Sequence, residues 1–230
     1  MTGRDLRTAR LRKKRSQIEA AARLGVSQPY LAMLERGQRP LTPKLALRAA
    51  QLYDLAPTAV PRSRRPFHAR HDPATLARNL AGLGYPGFAY LRSRRRAPKN
   101  PGEVLLAALA QDDLEPRLVE GLPWLVLRYS ALDWSWVVSE AKARDLQNRL
   151  GFVVSLARSL AERGEEQQKA RALDDLEARL DRSRLVREDT LCRATLPEPE
   201  RRWLAEHRSE SAKHWNLLTD WTADALRYAA

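Results

Sequence analysis

The tightest constraint on this chain is a run of helix-start and helix-stop residues over positions 16 to 43, with helically spaced apolar residues between them. Ser16 offers an N-cap, Gln17 to Leu24 gives a helix, and Gly25-Val26 supplies a turn in which glycine accepts a positive φ. Ser27 caps the next helix, with Pro29 in its first turn where a missing N–H is harmless; that helix runs from Gln28 to Arg36 and stops at Gly37. A further helix starts at Thr42-Pro43 and carries Leu45, Leu47, Ala49 and Leu52 inward. Ahead of this run, Leu6, Ala9, Arg10 and Lys13 share one helix face, and behind it Tyr53 to Val60 closes the unit. The pattern predicts five short helices in one small domain.

Beyond Val60 the chain changes character. Pro61-Arg62-Ser63-Arg64-Arg65-Pro66 has no periodicity and reads as a linker or a basic arm. Helical spacing resumes over 73–91, interrupted at Gly82-Leu83-Gly84-Tyr85-Pro86-Gly87, and a second basic loop spans Arg92 to Lys99. Farther on, the apolar spacing predicts helices near 103–111, 115–130, 133–148, 149–163, 166–184, 198–210 and 211–228. Nothing alternates as a strand would. The expected class is therefore all-α, with domains over 1–60 and 73–230 and a Pro/Arg linker over 61–72.

Charge separates the same two parts. The chain of 230 residues carries a net +13, but residues 1–100 hold 22 basic and 5 acidic side chains, an excess of +17. Residues 101–230 hold 19 basic and 23 acidic side chains, a balance of −4, together with all six tryptophans. Two modules with different partners follow, and the cationic front favours nucleic acid ahead of an anionic membrane surface. A single cysteine, Cys192, forms no internal disulfide, which suits a reducing cytoplasm. No stretch approaches the ~20 apolar residues of a membrane span, and the start MTGRDLRTARLRKKR has no signal-peptide core.

The letters Leu6-Arg7 and Arg10, then Ser16-Gln17, Ala20-Ala21, Leu24-Gly25-Val26-Ser27-Gln28, Tyr30-Leu31, Leu34-Glu35-Arg36-Gly37 and Arg39-Pro40, with Leu45 and Ala49, resemble the Cro/CI-type (XRE) helix-turn-helix family. The resemblance covers about residues 6–55. It implies a lambda-repressor-like domain of five helices, followed here by a larger helical bundle. The physics of the letters agrees with the family: Ala20 or Ala21 lets the second helix approach the third, Gly25 turns the chain, and Val26, Leu31 and Leu34 pin the third helix to the core. The third helix then presents its first turn outward, toward a major groove, while the second crosses the phosphate backbone.

Carried over position by position, the resemblance places Gln17 against a phosphate and Ser27, Gln28, Pro29 and Met33 toward base edges. An amide such as Gln28 bonds adenine bidentately, whereas Pro29 and Met33 offer only apolar contact, for instance with thymine methyls. Arg10 and Glu35 match the family's structural ion pair. Arg36, Arg39 and Lys44 follow the duplex backbone or are simply solvated. Arg62, Arg64 and Arg65 either enter a minor groove or belong to a linker.

Other signals point to packing or solvent. Gly82-x-Gly84-x-x-Gly87 matches a dinucleotide fingerprint by letter, but it follows a helical pattern and contains Pro86, so it reads as a helix-breaking turn. His68, His71, His207 and His214 lack partners at metal-ligand spacing, and Cys192 has no paired His and Asn, so no metal, cofactor or catalytic set is expected. Trp134 and Trp136, on a helix capped by Asp133, suit core packing, a partner surface or a small-molecule pocket. Asp174, Asp175 and Glu177 with Glu165-Glu166 read as a solvated face. The expectation is a cytoplasmic, non-enzymatic, dimeric DNA-binding repressor. The alternative is an antitoxin that represses its own operon through residues 1–60 and neutralises a toxin with the helical remainder.

Overall fold

Capping chemistry sets the helix boundaries at the front of the molecule. In this computed structural model, which describes residues 1–62, 72–93 and 99–227, α1 (Gly3–Arg12), α2 (Gln17–Leu24), α3 (Gln28–Glu35) and α4 (Pro43–Leu52) begin after Thr2, Ser16, Ser27 and Thr42. Each of these four hydroxyls accepts a backbone N–H from the third helical residue. Thr2 and Ser16 complete capping boxes with Asp5 and Glu19. Gly25, at φ +67°, ends α2 in the left-handed conformation. The fifth element, Pro57–Ala59, is a single 3-10 turn, because Pro57 and Pro61 bracket too few residues for more.

Residues 1–62 with 99–100 form one unit. Its core is small: Leu6, Ala9, Ala20, Ala21, Leu24, Leu31, Leu34, Leu45, Ala49 and Tyr53. Ala46 and Ala50 are buried on α4, whereas Leu47, expected inward, is exposed. The inward stripe of α4 runs through 45, 46, 49, 50 and 53, and Leu47 falls on the opposite side of that helical period. Asn100 joins this unit by donating to the carbonyl oxygens of Thr58 and Val60 at 3.3 and 2.9 Å.

Residues 72–93 and 101–227 form the second unit. It comprises α5 (Pro73–Leu83), a 3-10 segment (Pro86–Leu91), α6 (Pro101–Leu109), α7 (Pro116–Arg128), α8 (Trp134–Lys142), α9 (Gln147–Arg163), α10 (Gln167–Asp181), α11 (Glu198–His207) and α12 (Glu210–His214). The glycine-rich letters end a helix: Gly84, at φ +98°, caps α5 and the chain turns at Tyr85. α9 is central: from Gln147 to Ala157 every residue is buried, polar ones included, and α7 and α10 pack along it.

The C-terminal stretch departs from the expected helix over 211–228. Asn216, at φ +51°, reverses the chain after α12, and two short parallel strands pair, β1 (Asp189–Thr190) with β2 (Leu217–Leu218). The Asn216 side chain donates to the distant Leu185 carbonyl oxygen at 2.8 Å, and the Thr219 hydroxyl accepts from the Trp221 N–H at 3.3 Å, a local bond that competes with helix. Among the described residues these are the only strands, and the fold is all-α.

Candidate nucleic-acid interface

The close approach of α1 to α3 builds the site. Gly3 lies so near the end of α3 that a Cβ there would sit 1.9 Å from the Leu34 carbonyl oxygen. Two turns farther along α1, Arg10 reaches across to Glu35: Nε donates to Oε1 at 2.6 Å and Nη2 to Oε2 at 3.0 Å. Arg10 also donates to the Arg15 carbonyl at 2.7 Å, which fixes the turn into α2. Burial works to raise the Glu35 carboxyl, but the hydrogen bonds from Arg10 and Gln17 outweigh it and hold the group below the usual carboxylate range.

The pair does not end in the core. Gln17 Nε2 donates to Glu35 Oε2 at 2.9 Å, and Gln17 Oε1 accepts from Gln28 Nε2 at 2.8 Å. A continuous chain of hydrogen bonds therefore runs from buried Arg10 through Glu35 and Gln17 to exposed Gln28 in the first turn of α3. Such a chain fixes the rotamers of both glutamines before any ligand arrives.

Ser27, Gln28 and Pro29 are exposed together, and Met33, one turn beyond Pro29 on the same face, is half-buried. Arg36, Arg39, Lys44 and Arg62 are exposed; Arg36 folds back onto the Ala32 carbonyl at 3.2 Å. Arg64 and Arg65 lie outside the described residues. Two residues near this surface escaped the sequence reading. Ile18 is 73% exposed beside Gln17, and its only signal was that it falls off the apolar period of α2. Arg48 lies over the α2–α3 turn, where a Cβ on Gly25 would meet its guanidinium at 2.8 Å.

The second unit has other chemistry. Trp134 and Trp136 are partly buried against the core, and Trp134 Nε1 donates to the Ser130 carbonyl at 2.9 Å. Trp203, on α11, is the exposed tryptophan at 52%, with its indole stacked on His207 at 4.6 Å. Cys192 is buried, and desolvation pushes its thiol up to about 11, despite the nearby Arg149. Glu177 is no part of a solvated face, because it accepts from Ser155 Oγ at 2.5 Å and from Arg158 Nε at 2.9 Å. Among the described residues no group of His, Cys, Asp and Glu could hold a metal ion, and no helix is long and apolar enough to cross a membrane.

Residues 6–60 match the family model described as helix-turn-helix. No curated protein and no solved structure matches the chain. The match ends where the first unit's helices end, and it spans the exposed first turn of α3 and the ion pair that supports it. Residues 6–60 are thus a DNA-binding helix-turn-helix segment of the Cro/CI type.

Proposed function

We propose that the protein is a cytoplasmic transcriptional repressor that binds a pseudo-palindromic operator as a homodimer, with α3 of each copy in the major groove. The observation that carries this reading is the first turn of α3, which presents Ser27, Gln28 and Pro29 to solvent with the Gln28 amide already held by Gln17. In this reading Ser27, Gln28, Pro29 and Met33 face base edges. Gln17, Arg36, Arg39, Lys44 and Arg62 face phosphates, with Arg64 and Arg65 extending the basic track. Residues 1–60 form the reading head, 61–72 the arm, and 73–230 the dimerisation and partner- or effector-binding module. Paired heads reading successive major grooves would place half-sites about 34 Å apart.

The test is binding of the full chain to DNA recovered by footprinting its own promoter. Gln28→Ala should weaken cognate binding by roughly 1–3 kcal/mol with little change on random DNA. Equal loss on both sequences would remove Gln28 from base reading. Replacing Arg62, Arg64 and Arg65 together with alanine should reduce the salt dependence by up to about 0.9 per lost phosphate contact; an unchanged slope makes the segment a linker.

A second reading, an antitoxin whose helical module neutralises a toxin, is favoured by the exposed Trp203 and the 93% exposed Val186, since exposed large apolar side chains are common at protein interfaces. Stoichiometric co-purification with the product of an adjacent gene, relieved by Trp203→Ala, would select it over a solitary repressor.

A further inference from the structure

The second unit contains a groove of about 740 Å³ between the first turn of α7, the turn after β1 and the segment that follows β2. Pockets that hold small ligands span about 300–1,000 Å³ and pair an apolar lining with a few polar groups that fix orientation. Here the floor is Leu114, Val119, Leu191 and Trp221, and the rim carries Arg117, Arg193 and Arg227 with Glu120 and Asp220. The walls are tied together without any ligand. Leu114 N–H donates to the Cys192 carbonyl at 2.9 Å, Thr195 N–H to Asp113 at 3.1 Å, and Arg227 N–H to Glu120 at 2.8 Å.

The rim charges are unequal in what they have left to offer. Arg193 is engaged, its two terminal nitrogens forked onto Glu200 at 2.8 and 3.1 Å. Glu120 is engaged by the Arg227 backbone. Arg117 and Arg227 are exposed, and among the described residues neither guanidinium is in an ion pair; opposing them is one exposed acid, Asp220. A guanidinium presents paired N–H donors that match a carboxylate in one plane, and an indole gives a flat apolar ligand a face to lie against.

We infer that this groove is a binding site for a flat, apolar carboxylate, its ring on Trp221 and its acid on Arg117. The inference deepens the reading of residues 73–230 as a partner- or effector-binding module, and it does not rest on DNA binding.

The experiment is calorimetric titration of the full chain, without DNA, using 1-naphthoate, the neutral 1-naphthylmethanol and the cationic 1-naphthylmethylammonium. Saturable binding of naphthoate is expected, with the alcohol about tenfold weaker and the amine weaker still. Arg117→Gln should reduce naphthoate to the alcohol's affinity and leave the alcohol unchanged. Trp221→Ala should weaken both. If Trp221→Ala fails to fold, Arg117→Gln at the exposed rim still decides the matter. The site is overturned by an absence of saturable heat, by alcohol or amine binding as tightly as the acid, or by an Arg117→Gln chain that still prefers the acid. Because no DNA is present, each of these outcomes leaves the operator reading to its own test.

Discussion

Each unit of the molecule buries an arginine that grips a carboxylate in a bidentate embrace, and the two pairs lead to different places. In the first unit Arg10 and Glu35 meet at 2.6 and 3.0 Å, and Glu35 keeps capacity for Gln17 and, through it, for Gln28 at the surface. In the second unit Arg149 meets Asp189 at 2.7 and 3.0 Å, and its remaining donor goes inward to the carbonyl oxygens of Leu109 and Gln111 at 2.9 and 2.8 Å. That second pair ties the end of α6 and strand β1 to the head of α9. Both pairs hold their units together, but it is the first that reaches an exposed side chain, Gln28, through further side-chain hydrogen bonds. A buried pair is thus a support in one unit and a support with an output in the other.

The largest expected effect tests the closed pair. Arg149→Met leaves Asp189 with the Thr190 N–H but no counter-charge, and takes the arginine's bonds from two buried carbonyl oxygens; breaking such a pair from one side costs about 3–5 kcal/mol. All six tryptophans lie between 124 and 221, so urea unfolding followed by tryptophan fluorescence reports on the second unit alone. A loss below 1 kcal/mol would show that water replaces the arginine easily. DNA discrimination by the first unit should be unchanged.

Arg10→Met is the matching break in the first unit. A stability loss of the same class is expected there, about 3–5 kcal/mol, followed by exchange of the α1–α3 amides. It should also lower the ratio of cognate to random DNA affinity, because Glu35 can no longer hold Gln17 in place. If stability falls and the ratio for the remaining folded protein does not, the output assigned to this pair is wrong.

Acid gives a smaller and continuous version of the same contrast. The Glu35 and Asp189 carboxyls both stand below their ordinary values of 4.5 and 3.8; in each, burial opposes the shift and the arginine hydrogen bond prevails. A lowered folded pKa contributes stability that is complete above the unfolded value and is lost as pH falls through the folded one. The first unit should therefore begin to lose its contribution below about pH 4.5, ahead of the second. Glu35→Gln should flatten that part of the first unit's acid-unfolding profile and leave the second unit's tryptophan-monitored profile as it was. A profile that remains steep in Glu35→Gln assigns the acid sensitivity elsewhere.

The contrast also explains what could be read from the amino-acid letters. Arg10 and Glu35 sit inside a short motif whose caps, turn glycine and small residues are all local, so the helices of the first unit followed from neighbours within a few positions. Arg149 and Asp189 are paired across forty positions, and nothing near either residue announces the other. Gln147, Asn148 and Arg149 even look like a polar helix start exposed to water, yet all three are buried. Gln147 donates to the Ser183 carbonyl at 3.1 Å, and Asn148 exchanges bonds with Leu185 at 2.9 and 2.8 Å. Gly151 and Ser155 likewise look like weak helix residues, whereas the missing Cβ at 151 makes room for the Trp215 indole, whose N–H reaches Ser155 at 2.8 Å. Periodicity found the helices of the second unit, but the long-range polar bonds that decide where the chain turns back, including the β1–β2 pair, leave no local trace.

The smallest effect isolates the output itself. Gln17→Ala removes the link between Glu35 and Gln28 while leaving the Arg10–Glu35 pair intact, so stability should fall by only about 0.5–1.5 kcal/mol, the net worth of a hydrogen bond. Its consequence should appear in DNA binding instead. Gln17 has two roles in the proposed interface, a phosphate contact and a brace for Gln28, and a double-mutant cycle separates them. The phosphate role predicts that Gln17→Ala costs the same on cognate and random DNA and adds to Gln28→Ala. The brace predicts that Gln17→Ala costs more on cognate DNA, and that much of this excess disappears once Gln28 is already alanine. Strict additivity would reduce the chain of hydrogen bonds to packing and erase the difference between the two buried pairs.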